Sequence, residues 1–279
     1  MKTNTAKKAL SKAAIYAILI ICAAIVLLPI LWMLSTSIKI ESETLAIPPR
    51  WIPEHPTLEA YSRLWQEYPF LTYFKNSAIV VMCAVTFTIV FSTLAGYGVT
   101  RFNFRGKASF VSFLLITQMF PTVMLLIPYY KVLSTYNLDD TLLGLTLVYI
   151  SFTIPFCSWL MIGYYKTIPL ALDEAAILDG CNRFQVLWRV ILPLTKPGLI
   201  TAGIYAFITA WNDYMFAQTL INSPVNKTIP LGIADFNGYY KIMWNDLMAA
   251  SVIASIPVII LFIFMQKHFV SGLTAGAVK

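Results

Sequence analysis

Residues 77–100, SAIVVMCAVTFTIVFSTLAGYGVT, determine the class of fold to which this chain belongs. They carry no charged side chain, and the nearest charges flank them at Lys75 and Arg101. A helix needs about 20 predominantly apolar residues to cross the hydrocarbon layer of a bilayer. The segment is long enough to do so, and basic residues at its ends are typical of a span whose ends reach water. We therefore interpret it as a transmembrane helix.

Further apolar segments of this length predict an all-α integral membrane protein with six transmembrane helices. The predicted spans are 13–34, 77–100, 108–130, 141–165, 198–221 and 247–266. The first is longer than the 7–15 apolar residues of a signal peptide, and no small-residue cleavage site follows it, so we expect a retained anchor. Four prolines fall inside the spans: Pro29, Pro121, Pro155 and Pro257. Neighbouring helices can satisfy the backbone groups that proline frees, so we predict kinks rather than helix ends.

The composition excludes the common soluble classes. The chain is 58% hydrophobic and 12% charged, whereas soluble domains carry about 25% charged residues. The formal charge of +7 does not indicate nucleic-acid binding, because the basic residues flank apolar segments instead of forming a stripe. The cysteines Cys22, Cys83, Cys157 and Cys181 have neither disulfide nor metal-ligand spacing, so we expect no metal site.

The distribution of charge among the loops predicts the orientation in the membrane. Residues 1–12, 101–107, 166–196 and the C-terminal tail hold 13 basic and 3 acidic residues, and the opposite loops hold 7 and 9. Cytoplasmic loops carry the excess of Lys and Arg. We therefore place the first set, with both termini, in the cytoplasm.

The cytoplasmic loop 166–197 has a sequence typical of two short helices joined by a tight turn. Pro169 can open the first helix, since proline is tolerated in the first turn. Gly180 suits the left-handed position that ends a helix. Asn182, with Gln185 three residues later, predicts a capping box at the start of the second helix.

The second helix has an apolar face, and we expect Pro193 and Pro197 to stop it. The face consists of Phe184, Leu187, Trp188 and Ile191. An aromatic face in cytoplasmic water needs a cover. At the tip of the loop, Asp173 and Glu174 can pair with basic groups of a partner. These features predict that the loop is a docking element.

The same loop carries the spaced motif Glu174-Ala-Ala-x3-Gly180-x9-Val190-x-Leu192-Pro193. It resembles the EAA motif of binding-protein-dependent ABC permeases, with Val190 in place of isoleucine. In that family the loop is the coupling helix, which docks on a cytoplasmic ATPase subunit. The resemblance implies a type I importer permease fold. It also implies an ATPase-coupling role for Glu174, Ala175, Ala176, Asp179, Gly180, Leu192 and Pro193.

Four further segments resemble the maltose-type carbohydrate permeases, the last of them the G-type subunit. They are 32–39, 211–217, 228–233 and the tail 269–279. The resemblance implies a permease that imports a sugar or oligosaccharide by alternating access. It divides the chain into an N-terminal tail, first helix and part of the outer loop at 1–69, a permease core at 70–268 and a cytoplasmic tail at 269–279.

The partners follow from the same resemblance. The sequence has no phosphate-binding loop of the form G-x4-G-K-[S/T], so we expect no enzymatic activity and no cofactor bound by this chain. ATP and Mg²⁺ would be used by two cytoplasmic ABC ATPase subunits. A second homologous permease subunit and an extracytoplasmic solute-binding protein would complete the importer in the cytoplasmic (inner) membrane.

Polar residues within the spans are candidates for the solute path. Asn212 and Asp213 lie together in what the sequence predicts to be a continuous apolar helix, and an acid inside a membrane is costly enough to suggest a function. The proposed path residues are Gln118, Trp211, Asn212, Asp213 and Tyr214, with Gln218, Tyr205 and Phe216 nearby. The alternative is that they bond to another helix or lie at the interface between the two permease subunits.

Two other functions stay open at this point. The first is an ABC permease for a different solute, such as a polyamine, a phosphate or a peptide, which the EAA motif does not exclude. The second is an ion-coupled secondary transporter. Such proteins carry inverted repeats and ion sites near the midplane, whereas this sequence shows no repeat and only Asp213.

Overall fold

The computed structural model describes residues 2–238 and 242–275, with side chains within 12–238 and 242–266. All long elements in this part of the chain are helices, which confirms the predicted all-α class. The α-helices are α1 (Lys2–Ser37), α2 (Glu41–Thr44), α3 (Glu59–Gln66), α4 (Phe70–Arg101), α5 (Lys107–Met119), α6 (Leu126–Thr135), α7 (Leu142–Lys166), α8 (Ala171–Leu178), α9 (Arg183–Gln185), α10 (Leu192–Leu194), α11 (Lys196–Trp211), α12 (Met215–Leu220), α13 (Ile229–Asp235) and α14 (Trp244–Ala275). Two 3-10 segments, Thr122–Leu125 and Pro224–Asn226, and a π-helical segment, Val186–Ile191, connect some of them.

Four of these helices are long and apolar enough to cross a membrane on their own. They are α1 from Lys12, α4, α7 and α14 as far as Gln266. Two bent pairs pass the same test together: Lys107–Met119 with Thr122–Thr135, bent by 97°, and Arg183–Leu194 with Lys196–Trp211, bent by 81°. The described residues thus hold four to six candidate spans. The number six stays a prediction, and so does the orientation.

The prolines inside the predicted spans do not all behave alike. Pro29, Pro155 and Pro257 lie inside α1, α7 and α14, which continue past them. At Pro121 the prediction of a continuous helix is wrong, because α5 ends at Met119 and the chain bends by 97°. Proline cannot donate the helical hydrogen bond, and its ring displaces the preceding turn, so here the helix ends.

The fifth predicted span is also interrupted. α11 ends at Trp211 and α12 begins at Met215, so Asn212 and Asp213 lie in a break and not inside a continuous helix. The physical reason is that Asn and Asp side chains can hydrogen-bond to nearby backbone groups, and these bonds compete with the helical hydrogen bonds. The Asp213 carboxylate accepts the backbone N–H of Ala217 at 3.1 Å, which satisfies a donor at the start of α12.

The chain forms two compact units. The first unit consists of residues 1–69 and 233–256, and the second of residues 70–232 and 257–279. In the first unit Arg63 forms an ion pair with the fully buried Asp246 at 2.5 Å, and this hydrogen bond raises the pKa of Arg63. The pair fixes α3 against the start of α14.

The core of the second unit is the packing of α4, α7 and α11 against one another. Small and hydroxyl side chains line these contacts, as is common where membrane helices approach closely. The hydroxyls of Thr88 and Thr153 lie 2.7 Å apart between α4 and α7. A Cβ atom at Gly198 would come within 2.6 Å of the Tyr164 ring, so glycine permits the close approach of α11 to α7.

Candidate functional site

The loop between α7 and α11 folds as a helical hairpin, as the sequence predicts. Its turn contains Gly180 with a φ of 86°, in the left-handed region that glycine adopts most easily. The backbone N–H of Gln185 donates to the Asn182 side chain at 2.9 Å, and the backbone N–H of Asn182 donates to the Gln185 side chain at 2.9 Å. The predicted glycine turn and capping box are both confirmed.

The prolines of the hairpin differ from the prediction. Pro169 precedes α8 and does not lie in its first turn. Pro193 does not stop the second helix, because a new helical segment starts at Leu192, immediately after the π-helical segment, and proline is tolerated in a first turn. Pro197 likewise lies in the first turn of α11, and the chain changes direction between these two segments, at Thr195.

The apolar face of the second helix is divided between the interior and the solvent. Leu187 and Ile191 are buried together with Ala176 in a cluster that belongs to this chain. Phe184 and Trp188 are 66% and 65% exposed, and their rings stack with centroids 6.3 Å apart. Only these two aromatic side chains of the predicted face are left for another molecule to cover.

The predicted coupling residues are mostly accessible. Ala176, to which the resemblance assigns a coupling role, is buried within the chain, and Leu192 is half-buried. The exposed members are Glu174, Ala175, Asp179, Gly180 and Pro193. The motif residues that a partner can reach are therefore those on the outer side of α8, those at the glycine turn, and Pro193.

The interpretation of Asp173 as a tip residue for a partner is wrong. Asp173 is 2% exposed, and its Oδ2 atom lies 3.1 Å from Nε of Arg101. Arg101 also donates to the backbone carbonyls of Tyr165 at 3.2 Å and Ile168 at 3.1 Å. This buried pair ties the end of α4 to the end of α7 and to the hairpin of residues 171–194, which we call the coupling hairpin after the role that the EAA resemblance implies. No sequence pattern indicates this pair, because Arg101 looks like any basic residue at the cytoplasmic end of a predicted span.

A cavity of about 540 Å³ opens among the membrane helices of the second unit. Its volume falls within the range of about 300–1,000 Å³ that is common for ligand pockets. Eight of the lining side chains carry a hydroxyl, amide or carboxyl group: Thr117, Gln118, Thr122, Tyr129, Ser151, Tyr205, Thr209 and Asp213. The others are apolar, and most are aromatic: Phe120, Leu125, Phe152, Pro155, Phe156 and Phe216.

The two breaks in the predicted spans supply part of this lining. Phe120 and Thr122 flank the break at Pro121, and Asp213 lies in the break before α12. The Asp213 carboxylate accepts the hydroxyl of Tyr149 at 2.8 Å. The hydroxyl and the backbone N–H hold the carboxylate in place without a cation. Its remaining lone pairs can therefore accept hydrogen bonds from a ligand.

The structure brings together some of the predicted path residues and leaves out others. Gln118 and Asp213 line the cavity, as do the nearby aromatics Tyr205 and Phe216. Three do not line it: Trp211 is buried, and Asn212 and Tyr214 are exposed.

The sequence reasoning missed the hydroxyl residues of the cavity. Thr209, for example, donates to the carbonyl of Tyr205 in its own helix at 2.7 Å. Serine and threonine commonly make such bonds inside helices. A hydroxyl within an apolar segment therefore gives no signal that separates a cavity residue from one that only bonds its own helix.

The helices and the coupling hairpin define a multi-pass membrane permease subunit. The chain belongs to the family of binding-protein-dependent transport system inner membrane components, whose model matches residues 88–275. It is 36% identical to a sulfoquinovosyl glycerol transport system permease of Agrobacterium fabrum, over 91% of this chain and 89% of that protein. It is also 36% identical to a trehalose/maltose transport system permease of Thermococcus litoralis, over 93% and 94%. A chain in the crystal structure of a bacterial ABC transporter involved in the import of the polysaccharide alginate superposes with a TM-score of 0.81, at 26% identity, over 92% of this chain and 96% of that one.

Family membership confirms the resemblance that the EAA motif indicated. The protein is an inner-membrane, multi-pass permease subunit of a binding-protein-dependent ABC importer. It is not an enzyme, because in this family ATP hydrolysis belongs to a separate subunit. The predicted cytoplasmic tail 269–279 lies outside the residues whose side chains are described, and residues 276–279 lie outside the described chain altogether.

Proposed function

We propose that this chain is one of two permease subunits of an ATP-driven importer, and that its solute is a sugar or oligosaccharide. The observation that carries the proposal is the cavity in which Gln118 and Asp213 meet aromatic and hydroxyl side chains. Support comes from the solutes named for the relatives, which are sulfoquinovosyl glycerol, trehalose or maltose, and alginate. All of these carry sugar rings.

The chemistry of the cavity favours an uncharged solute with many hydroxyls. A sugar needs hydrogen-bonding partners around its edge and apolar surfaces against its ring faces, as ligand sites with few polar groups in an aromatic lining provide. The rings of Phe156 and Tyr205 lie with centroids 4.1 Å apart, and the hydroxyls of Tyr129 and Ser151 lie 2.5 Å apart.

The charges in the cavity argue against a phosphate and against a polyamine. None of the lining residues, all within the described chain, is Lys or Arg, and Asp213 is the one acid among them. A phosphate would need cationic partners. A polyamine has several ammonium groups, and each would need an acceptor that carries charge. A neutral polyol requires neither, so the sugar fits the lining best.

The transport cycle follows from the hairpin. We place both termini and the hairpin in the cytoplasm. Six spans result when the pair bent at Pro121 counts as one span and the fifth span runs through α11 and α12, as the sequence predicts. Two ATPase subunits that use ATP and Mg²⁺ would dock on the hairpins of this chain and of a homologous second permease. Glu174 would pair with a basic group of the ATPase, Ala175 would permit close contact, and the ATPase would cover Phe184 and Trp188.

ATP-driven closure of the ATPase subunits would then move the hairpin, and the Arg101–Asp173 pair would carry that motion to α4 and α7. An extracytoplasmic binding protein would deliver the solute.

The test is solute uptake into vesicles that contain the whole importer. Gln118→Leu and Asp213→Asn should each raise the KM for the transported sugar by about tenfold or more, because the first removes the partner of a solute hydroxyl and the second replaces a charged acceptor with a weaker neutral one. Gln218→Leu is the matched control, since Gln218 is exposed and does not line the cavity. Equal KM values for all three variants and the unmodified chain would contradict the cavity assignment. Uptake that continues without the ATPase would favour a secondary transporter.

A further inference from the structure

A second cavity lies where three membrane helices of the second unit end. α4 ends at Arg101, α5 begins at Lys107 and α7 ends at Lys166. The cavity has a volume of about 740 Å³. Because α7 leads directly into the coupling hairpin, the cavity opens on the same membrane face as the hairpin. It shares no residue with the solute cavity.

The cavity has an apolar floor and a basic rim, and we call it the basic pocket. The floor is formed by Val99, Val111 and Ile162, which belong to a buried apolar cluster between α4, α5 and α7. Lys107 and Lys166, which lie at helix ends, are the pocket's two cationic lining residues and form the rim. None of its ten lining residues, all in the described part of the chain, is acidic.

We propose that the basic pocket binds an anionic phospholipid of the surrounding leaflet, with the phosphate at the two lysines and the upper acyl chain on the apolar floor. Basic pockets between membrane helices on the cytoplasmic side are suited to anionic headgroups. Phospholipid headgroups are available at this site, because the three helix ends reach the membrane surface at this point. Lys107 donates one bond to the carbonyl of Phe102, at 3.4 Å, and its ammonium group has two further donors for a phosphate.

The apolar floor distinguishes a lipid from a free phosphate. A soluble anion would satisfy the lysines but would leave in contact with water the apolar lining that the chain itself does not cover, the 47% exposed Phe104 and the half-buried Val111. A phospholipid covers both parts, and burial of apolar surface adds to the affinity. The bound lipid would lie against the ends of α4 and α7, next to the buried Arg101 that holds the hairpin.

The test measures how much phosphatidylglycerol the intact importer complex retains. The complex is reconstituted in phosphatidylcholine vesicles that contain a minor fraction of phosphatidylglycerol, released from them, and analysed by native mass spectrometry. The double variant Lys107→Gln/Lys166→Gln should bind phosphatidylglycerol roughly 25-fold more weakly, at roughly fivefold per lysine near the membrane surface. Ala108→Phe should also reduce retention, because it fills the pocket without a change of charge.

The matched control removes the same charge from the same membrane face. Arg105 and Lys196 are exposed and do not line the pocket, so Arg105→Gln/Lys196→Gln should retain phosphatidylglycerol as the unmodified chain does. An equal loss in the two double variants would mean only diffuse attraction and would overturn the proposal. Displacement of the lipid by millimolar inorganic phosphate, or full retention in Ala108→Phe, would overturn it as well.

Discussion

Removal of the Asp173 carboxylate should uncouple the hairpin from the membrane helices. The side chains of Arg101 and Asp173 are 3% and 4% exposed. Loss of one partner of a buried ion pair costs about 3–5 kcal/mol, because the other charge is left buried and unpaired. In Asp173→Ala, Arg101 keeps its bonds to the carbonyls of Tyr165 and Ile168. We therefore expect the lower end of that range, about 3 kcal/mol.

A double-mutant cycle separates the pair from its surroundings. Arg101→Met alone leaves the Asp173 carboxylate buried without its cation and also removes the donors to the carbonyls of Tyr165 and Ile168, so it should cost more than Asp173→Ala. The double variant Arg101→Met/Asp173→Ala removes both charges and leaves neither one buried and unpaired. Such replacements are often close to neutral. The two single costs should therefore not add, and the coupling energy should be about 2–3 kcal/mol.

The assay combines thermal unfolding of the purified complex with ATP hydrolysis stimulated by solute-loaded binding protein. Each single variant should keep basal ATPase activity and lose most of the stimulation, whereas the double variant regains stability but not stimulation. Arg105→Met is the control, because Arg105 is exposed on the same face. Costs that add to within about 0.5 kcal/mol would show that the residues are independent. Normal stimulation in Asp173→Ala would refute the coupling role.

Three further predictions concern single positions. Gly180→Val forces a φ of 86° on a β-branched residue, at a cost of at least about 1–2 kcal/mol. Stimulation of the ATPase should therefore fall while membrane insertion is unchanged. Full stimulation would contradict the turn assignment. Burial alone raises the pKa of Asp140, but hydrogen bonds from the loop after α12 outweigh it and lower the pKa below 3.8. The resulting stabilisation is present at neutral pH and is lost as the pH falls through the folded-state pKa. The melting temperature of Asp140→Ala, lower at pH 7, should therefore approach that of the unmodified chain as the pH falls below 3.8, down to the constant difference that alanine at a φ of 53° causes; a gap that does not change with pH would sink this account. Gly198→Ala should lower the melting temperature, since the new Cβ meets the Tyr164 ring, whereas Gly163→Ala, with nothing within 4 Å, should not; similar melting curves would show that close packing at this position does not matter.

The sequence predicts the features that depend on composition or on neighbours in the chain. Apolar segments of membrane-spanning length identify the helical membrane class. The Gly180 turn and the Asn182–Gln185 capping box are also predicted, because each is decided within a few residues. These local rules describe the hairpin well.

Features that depend on tertiary packing could not be predicted. Pro121 and Pro155 both lie in apolar segments, yet α5 ends before the exposed Pro121 and α7 continues through the buried Pro155. The Arg101–Asp173 pair joins residues that are 72 positions apart. The cavity arises only when the two helix breaks and α7 come together, so no single segment carries its pattern.

The most direct test of the account is a photo-crosslink from the coupling hairpin in native membranes. A photoreactive phenylalanine analogue at Ala175, which is exposed on α8 beside Glu174, should form one adduct that contains an ABC ATPase subunit. The same analogue at Tyr136, which is 71% exposed in the loop that we place on the opposite side of the membrane, should not. An ATPase adduct from Ala175 alone is the predicted result. No adduct from Ala175, or an equal ATPase adduct from Tyr136, would contradict the claim that this hairpin couples the permease to ATP hydrolysis.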